Sequence, residues 1–202
     1  MQKLLESTMK KETYTFEMRN FNKAIKYGFY LEAISISYAA AEDRLNTFLF
    51  YAGLISINID KGKFRIVDRV RKFYRHLLNG TKQINNISTK INLVKSLLLF
   101  SQTYDGDYLE FGTKKNANHL KDLMQSAKKL NIELLISKLD ELNNIIKTRN
   151  LLTHALFNRK QEETLKLKED CALRLIQVFR DLDKKLVKPI KNKEFRKNHN
   201  VQ

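Results

Sequence analysis

Apolar residues recur at helical spacing along most of this chain. Ile34, Tyr38, Ala41, Leu45, Phe48 and Ala52 follow one another at steps of three and four, the spacing of one buried stripe on a helix. The pattern predicts a helix over 20–52, in which Gly28 marks either a close packing or a break. Further helices are predicted over 90–102, around Leu93, Leu97, Leu98 and Phe100, and over 117–130 and 131–157. A last one spans 161–186 and is striped by Cys171, Leu175, Val178, Leu182 and Leu186. Between them, 53–62 reads as a loop, 63–79 as containing a short, positively charged helix ended by the turn signal Asn79-Gly80, and 103–113 as a second loop. One proline, Pro189, and six glycines argue for long helices and against a turn-rich sandwich or barrel. The fold class expected is therefore all-α, an up-and-down helical bundle formed by a single domain over 1–188. Residues 189–202 carry no apolar face and are expected to form a basic, disordered tail.

Charge then narrows the partners. The formal net charge of the 202 residues is +16, and repulsion of that size weakens a compact state unless an anionic partner screens it. Nucleic acid is the first candidate and an acidic membrane surface the second. The plain alternative is a solubilising charge, since lysine is much commoner than arginine. A single cysteine excludes an internal disulfide and fits a reducing compartment. The start, Met1 to Lys11, is polar and lacks the apolar core of a signal peptide. No apolar run approaches the roughly 20 residues a membrane helix needs, so a cytoplasmic protein without a membrane partner is expected. His76, His119, His154 and His199 are far apart, and no HExxH, paired CxxC or phosphate-binding glycine loop is present. No metal or cofactor is expected. Cys171 falls in the stripe of the last helix and reads as core.

The informative stretch is Arg149-Asn150-Leu151-Leu152-Thr153-His154. The stripe of its helix runs Leu135, Leu139, Leu142, Ile146, and the next step of three is Arg149, an arginine where another leucine is expected. Such a residue is paired or used. Asn150 and His154, four apart, share a face. On an ideal helix Arg149 and His154 are about 140° apart and about 7.5 Å along the axis, so they meet only through the long arginine stem or by combining residues of two chains. Glu42, at the edge of the first long stripe, is a candidate to hold Arg149. The structural alternatives are a salt bridge from Arg149 to Glu42, a His154 favoured by a helix C-terminus, and an ordinary polar Asn150.

This stretch resembles the Rx4-6H motif of the HEPN superfamily of helical ribonucleases and nucleic-acid-associated proteins, with the polar residue after the arginine and the histidine near the end of a late, long helix. Tyr30-Leu-Glu-Ala-Ile-Ser-Ile-Ser-Tyr-Ala-Ala-Ala-Glu42 is similar to the alanine-rich, acid-ending second helix of many members. A second Arg-x4-His, Arg71 to His76, lies in a highly charged segment with a lysine after the arginine, and reads as coincidence or as an RNA-contacting face. The resemblance implies a metal-independent endoribonuclease with a toxin or antiviral role. His154 would move the proton, Arg149 would hold the phosphate and Asn150 would orient the imidazole or the scissile group. The ribose 2′-hydroxyl would attack to leave a 2′,3′-cyclic phosphate. It also implies a homodimer with the motif helices at its centre, and an antitoxin protein as a further partner. The tyrosine that such antitoxins modify, two residues after the histidine, is Leu156 here, which argues against control of that kind.

Lys61, Lys63, Arg65, Arg69, Arg71, Lys72 and Arg75, with one acid, Asp68, and the interleaved Phe64, Phe73 and Tyr74, form a candidate RNA-binding stretch. The alternative is a solvated charged face over core-facing aromatics. Two other functions fit the same chain: a non-catalytic HEPN-like module that binds RNA or a protein, and a DNA-binding regulator, for which no helix-turn-helix pattern is visible.

Overall fold

The computed structural model describes residues 7–51, 55–58, 63–66, 84, 86–103, 130–154 and 161–190. The glycine that interrupts the first long helical pattern breaks it. Helix α1 spans Ser7–Lys26 and α2 spans Tyr30–Tyr51. At the end of α1, Gly28 has φ +75, Gly28 N–H donates to Ile25 O at 3.2 Å and Phe29 N–H donates to Ala24 O at 2.8 Å. This pair of bonds is a Schellman motif, which needs a left-handed residue and therefore favours glycine. Helix α1 begins at Ser7, well before residue 20, where the apolar pattern starts. Its buried side is short, with Phe21 and Ala24, and is extended by the half-buried Tyr14.

Strand β1 (Ile55–Asn58) pairs antiparallel with β2 (Lys63–Ile66). Residues 55–58 are thus a strand within the loop expected over 53–62, and 63–66 are a strand at the start of the segment expected to contain a short helix, whose remainder, 67–79, lies outside the described residues. Ile-Ser-Ile-Asn and Lys-Phe-Arg-Ile alternate with period two, and pairing Ile55 with Ile66 and Ile57 with Phe64 puts the apolar positions on one face. Helix α3 (Ile87–Thr103) and helix α4 (Ile132–His154) follow. Asn86 and Asn131 cap them, their Oδ1 atoms accepting from Thr89 N–H at 2.7 Å and Leu134 N–H at 3.1 Å, which satisfies backbone donors of the first turn. Helix α5 (Gln161–Leu182) runs into a π-helical turn, Asp183–Val187, and a closing helical turn, Lys188–Ile190. Helical structure thus passes Pro189, the expected start of the tail. The helix expected over 117–130, the loop around 104–113, the Asn79-Gly80 turn and the tail beyond 190 lie outside the described residues. The described chain is all-α apart from the one hairpin, and no described helix is long and apolar enough to cross a membrane.

The chain divides into two compact units. One comprises Met1–Asp43 and Asp140–Asp181. Within it, Asp43 on α2 accepts from Tyr14 Oη and pairs with Lys10 at 3.0 Å, both on α1. Tyr14 also stacks on Phe179 of α5 at 5.7 Å. At the other end of α2, Tyr30 hydrogen-bonds Glu169 of α5. Helices α2 and α5 are therefore parallel. On α4, Glu141 pairs with Arg174 of α5 at 3.6 Å, while Arg149 acts on Cys171, so α4 runs antiparallel to both. The unit's core includes Ile34, Ala41, Leu142, Ile146, Cys171 and Leu175. The second unit comprises Arg44–Leu139 and Leu182–Gln202. Its core holds Leu45, Phe48, Ile91, Leu97, Leu98, Leu135, Leu139 and Leu186. In it, Arg44, only 5 % exposed, donates from Nη1 to Asp183 Oδ1 at 2.6 Å. The extra residue of the π turn keeps Leu182, Leu186 and Val187 all buried while Asp183 faces Arg44.

Candidate active site

On α4, Leu135, Leu139, Leu142 and Ile146 are all nearly completely buried, and Arg149 takes the next position of that stripe, half-buried. Its guanidinium lies over the ring of Tyr38 of α2, with Cζ 4.9 Å from the ring centroid. Nη1 donates to Oδ1 of the exposed Asn150 at 3.1 Å. Nε is enclosed and has no hydrogen-bond partner among the described residues. A guanidinium has five N–H donors in a planar fork, and among the described residues one of them, on Nη1, is bonded, to Asn150. The cation is thus anchored through its face and one edge.

No ion pair joins Glu42 to Arg149 among the described residues. The position foreseen for the Glu42 carboxylate is taken by the ring of Tyr38, one helical turn earlier on α2. Glu42 still contributes to the local field. The Tyr38 hydroxyl is held above its ordinary pKa first by burial and then by the Glu42 charge, with Arg149 pulling the other way. Across on α5, Cys171 is buried and its thiol is pushed up to about 11 by burial and by Asp170, with Arg174 and Arg149 opposing. Arg149 is therefore set between α2 and α5.

Thr153 fixes the last turn of α4, its hydroxyl donating to Arg149 O at 3.0 Å and to Asn150 O at 2.9 Å. His154 is the last residue of α4, and its imidazole lies outside what the structure describes. By helix geometry its backbone is one turn, about 6 Å, beyond that of Asn150 and on nearly the same face. Arg149 and Asn150 are thus in direct contact, and His154 follows on their helix.

Of the basic stretch, Lys63 and Arg65 lie on β2. Their pairing with Asn58 and Ser56 places all four at positions of one face of the hairpin. Lys61, Arg69, Arg71, Lys72, Arg75 and His76 lie outside the described residues. Among the described residues no three His, Cys, Asp or Glu side chains are grouped as a metal site would require. The partner of Arg149 that the sequence pattern does not disclose is Tyr38, which reads there as one more member of a buried stripe. The available signal was an aromatic on one stripe and an arginine on another, each a candidate to offset the other. No family model matches the chain, and neither a curated protein nor a solved structure is similar to it.

Proposed function

We propose that this chain is a metal-independent endoribonuclease of the HEPN type, working in the cytoplasm as a toxin or antiviral effector. The observation that carries the reading is Arg149: a half-buried guanidinium on a core stripe, seated on Tyr38 and bonded to Asn150, with Nε unpartnered among the described residues and a histidine one turn beyond Asn150. An RNA phosphate is the natural acceptor for this guanidinium, because the fork matches two phosphate oxygens and the charge persists at every working pH. His154 supplies the proton transfer, since an unperturbed imidazole titrates near pH 6.5. The 2′-hydroxyl attacks the adjacent phosphorus, the 5′-oxygen leaves with a proton, and the product keeps a 2′,3′-cyclic phosphate. Arg149 stabilises the charge that grows on the phosphoryl oxygens. In this reading a homodimer sets two motifs face to face, and the basic segment 61–75 guides RNA to them.

The enclosed Nε and the stacked ring also suit a purely structural arginine, which is the ground for the second reading, a non-catalytic HEPN-like module that binds RNA or a protein. One assay separates them. Purified protein is incubated with end-labelled RNA in EDTA, alongside His154→Ala and His76→Ala. Cleavage lost only with His154→Ala supports the nuclease; binding with no cleavage by any form rejects it in favour of the module.

A further inference from the structure

The turn between α1 and α2 holds two large rings out of the protein. Tyr27 and Phe29 are 63 % and 61 % exposed, their centroids are 6.5 Å apart and tilted by 40°, and the Lys26 ammonium sits 5.6 Å from the Tyr27 centroid. The turn is not loose. The two Schellman bonds close it behind Phe29, and Ala33 N–H donates to Phe29 O at 3.1 Å as α2 starts. Beside Phe29 lies a cleft of about 370 Å³, walled by Leu31 and Leu165 and edged by Glu32 and Lys168. Rings fixed in solvent on a braced turn have no part in the core of this unit, and exposed aromatics interleaved with lysines suit stacking on unpaired bases.

Position strengthens the assignment. Helices α2 and α5 both start at this cleft, and α4 runs antiparallel to them, so its C-terminal end, with Asn150 and His154, points toward the same end of the unit. Arg149 meets α2 at Tyr38, eight residues from the start of that helix, or about 12 Å along its axis. A short stretch of single-stranded RNA covers that distance.

We propose that this cleft is a nucleobase subsite for single-stranded RNA, a proposal that rests on RNA being the substrate of the Arg149 site. Phe29 offers a face for one base, with Leu31 and Leu165 enclosing its edge. The Lys168 ammonium meets a backbone phosphate. The Glu32 carboxylate, which only accepts hydrogen bonds, takes one from an exocyclic amino group. That chemistry favours adenine, cytosine or guanine over uracil, which has no such group. Tyr27 with Lys26 holds a neighbouring base.

The test measures equilibrium binding of fluorescent single-stranded oligonucleotides, oligo(C) and oligo(U), to the full-length His154→Ala protein, in which cutting does not interfere. Phe29→Ala added to that background is expected to weaken oligo(C) binding about tenfold, the scale of one base–aromatic stack, while Phe29→Trp keeps it. Glu32→Gln is expected to narrow the preference for oligo(C) over oligo(U). Unchanged binding in Phe29→Ala, with circular dichroism matching the His154→Ala protein, overturns the subsite, and if the protein that retains His154 cuts RNA the nuclease reading is untouched. Loss of self-association in Phe29→Ala with RNA affinity intact overturns it too, and marks the surface as a protein contact. Phe29-dependent binding by a chain that never cuts RNA keeps the subsite and rejects the nuclease.

Discussion

Replacing Tyr38 tests whether an aromatic ring, and not a carboxylate, seats Arg149. The guanidinium lies 4.9 Å from the ring centroid, in a half-buried setting where a cation–π contact is worth about 1–2 kcal/mol. Tyr38→Phe keeps the ring and removes only the hydroxyl. Tyr38→Leu removes the quadrupole at similar bulk and leaves the Asn150 hydrogen bond in place. If the lost contact is spent in holding the guanidinium against the transition-state phosphate, kcat/KM for RNA cleavage falls about five- to thirtyfold in Tyr38→Leu, at about 1.4 kcal/mol per factor of ten. Tyr38→Phe stays within about twofold of the parent. Urea denaturation gives a second readout, with Tyr38→Leu less stable by about 1–2 kcal/mol and Tyr38→Phe nearly unchanged. Equal cleavage and equal stability in Tyr38→Leu and the parent would refute the reasoning. A loss in Glu42→Gln larger than in Tyr38→Leu would return the role to the carboxylate.

Other outcomes follow from the fold. Asp183→Asn removes the carboxylate charge that pairs with the buried Arg44 and is expected to lower unfolding stability by about 3 kcal/mol, read from urea midpoints. Gly28→Ala meets no atom within 4 Å of the new Cβ, so its cost is the left-handed backbone alone, about 1 kcal/mol, and Gly28→Asn should cost less. Equal thermal midpoints for parent and Gly28→Ala would contradict the Schellman cap. The Cys171 thiol, pushed up to about 11, should resist disulfide reagents at pH 8 until the chain is unfolded. Its folded pKa lies above the unfolded value, so its contribution is complete below the unfolded pKa and is lost as pH rises toward 11. Cys171→Ala should flatten that alkaline decline.

The helical stripes were legible because each repeats over four or five turns and is read from local spacing alone. Ile34, Ala41, Leu45 and Phe48 on α2, and Leu135 to Ile146 on α4, are buried where the pattern put them. The hairpin was not legible in the same way. Four residues are two periods of a strand, and the charges of Lys63 and Arg65 drew attention from the alternation; what decides the pairing is the register with Ile55 to Asn58. The π turn answers to Arg44, 139 residues away in sequence, so no local pattern announces it. Most of α1 was overlooked because its packed side is carried by Tyr14, Phe21 and Ala24 among charged neighbours. At the candidate site, Arg149 stood out as a cation on an apolar stripe and the structure places it there. Its seat did not stand out, since a tyrosine on a stripe reads equally as core or as a cation's partner until the opposing helix is known.

The proposed roles of Arg149 and His154, acting together on an RNA phosphate whose own 2′-hydroxyl is the nucleophile, can be read from the reaction products. Mass spectrometry is applied to one cleaved RNA, made once with ribose throughout and once with a single 2′-deoxy residue at the scissile position, both in EDTA. The expected result is a 2′,3′-cyclic phosphate on the upstream fragment of the all-ribose strand, no cut at the deoxy position, and no product from Arg149→Ala or His154→Ala. Cleavage at the deoxy position, or cutting by either variant equal to the parent's, would rule out a mechanism built on the 2′-hydroxyl, Arg149 and His154.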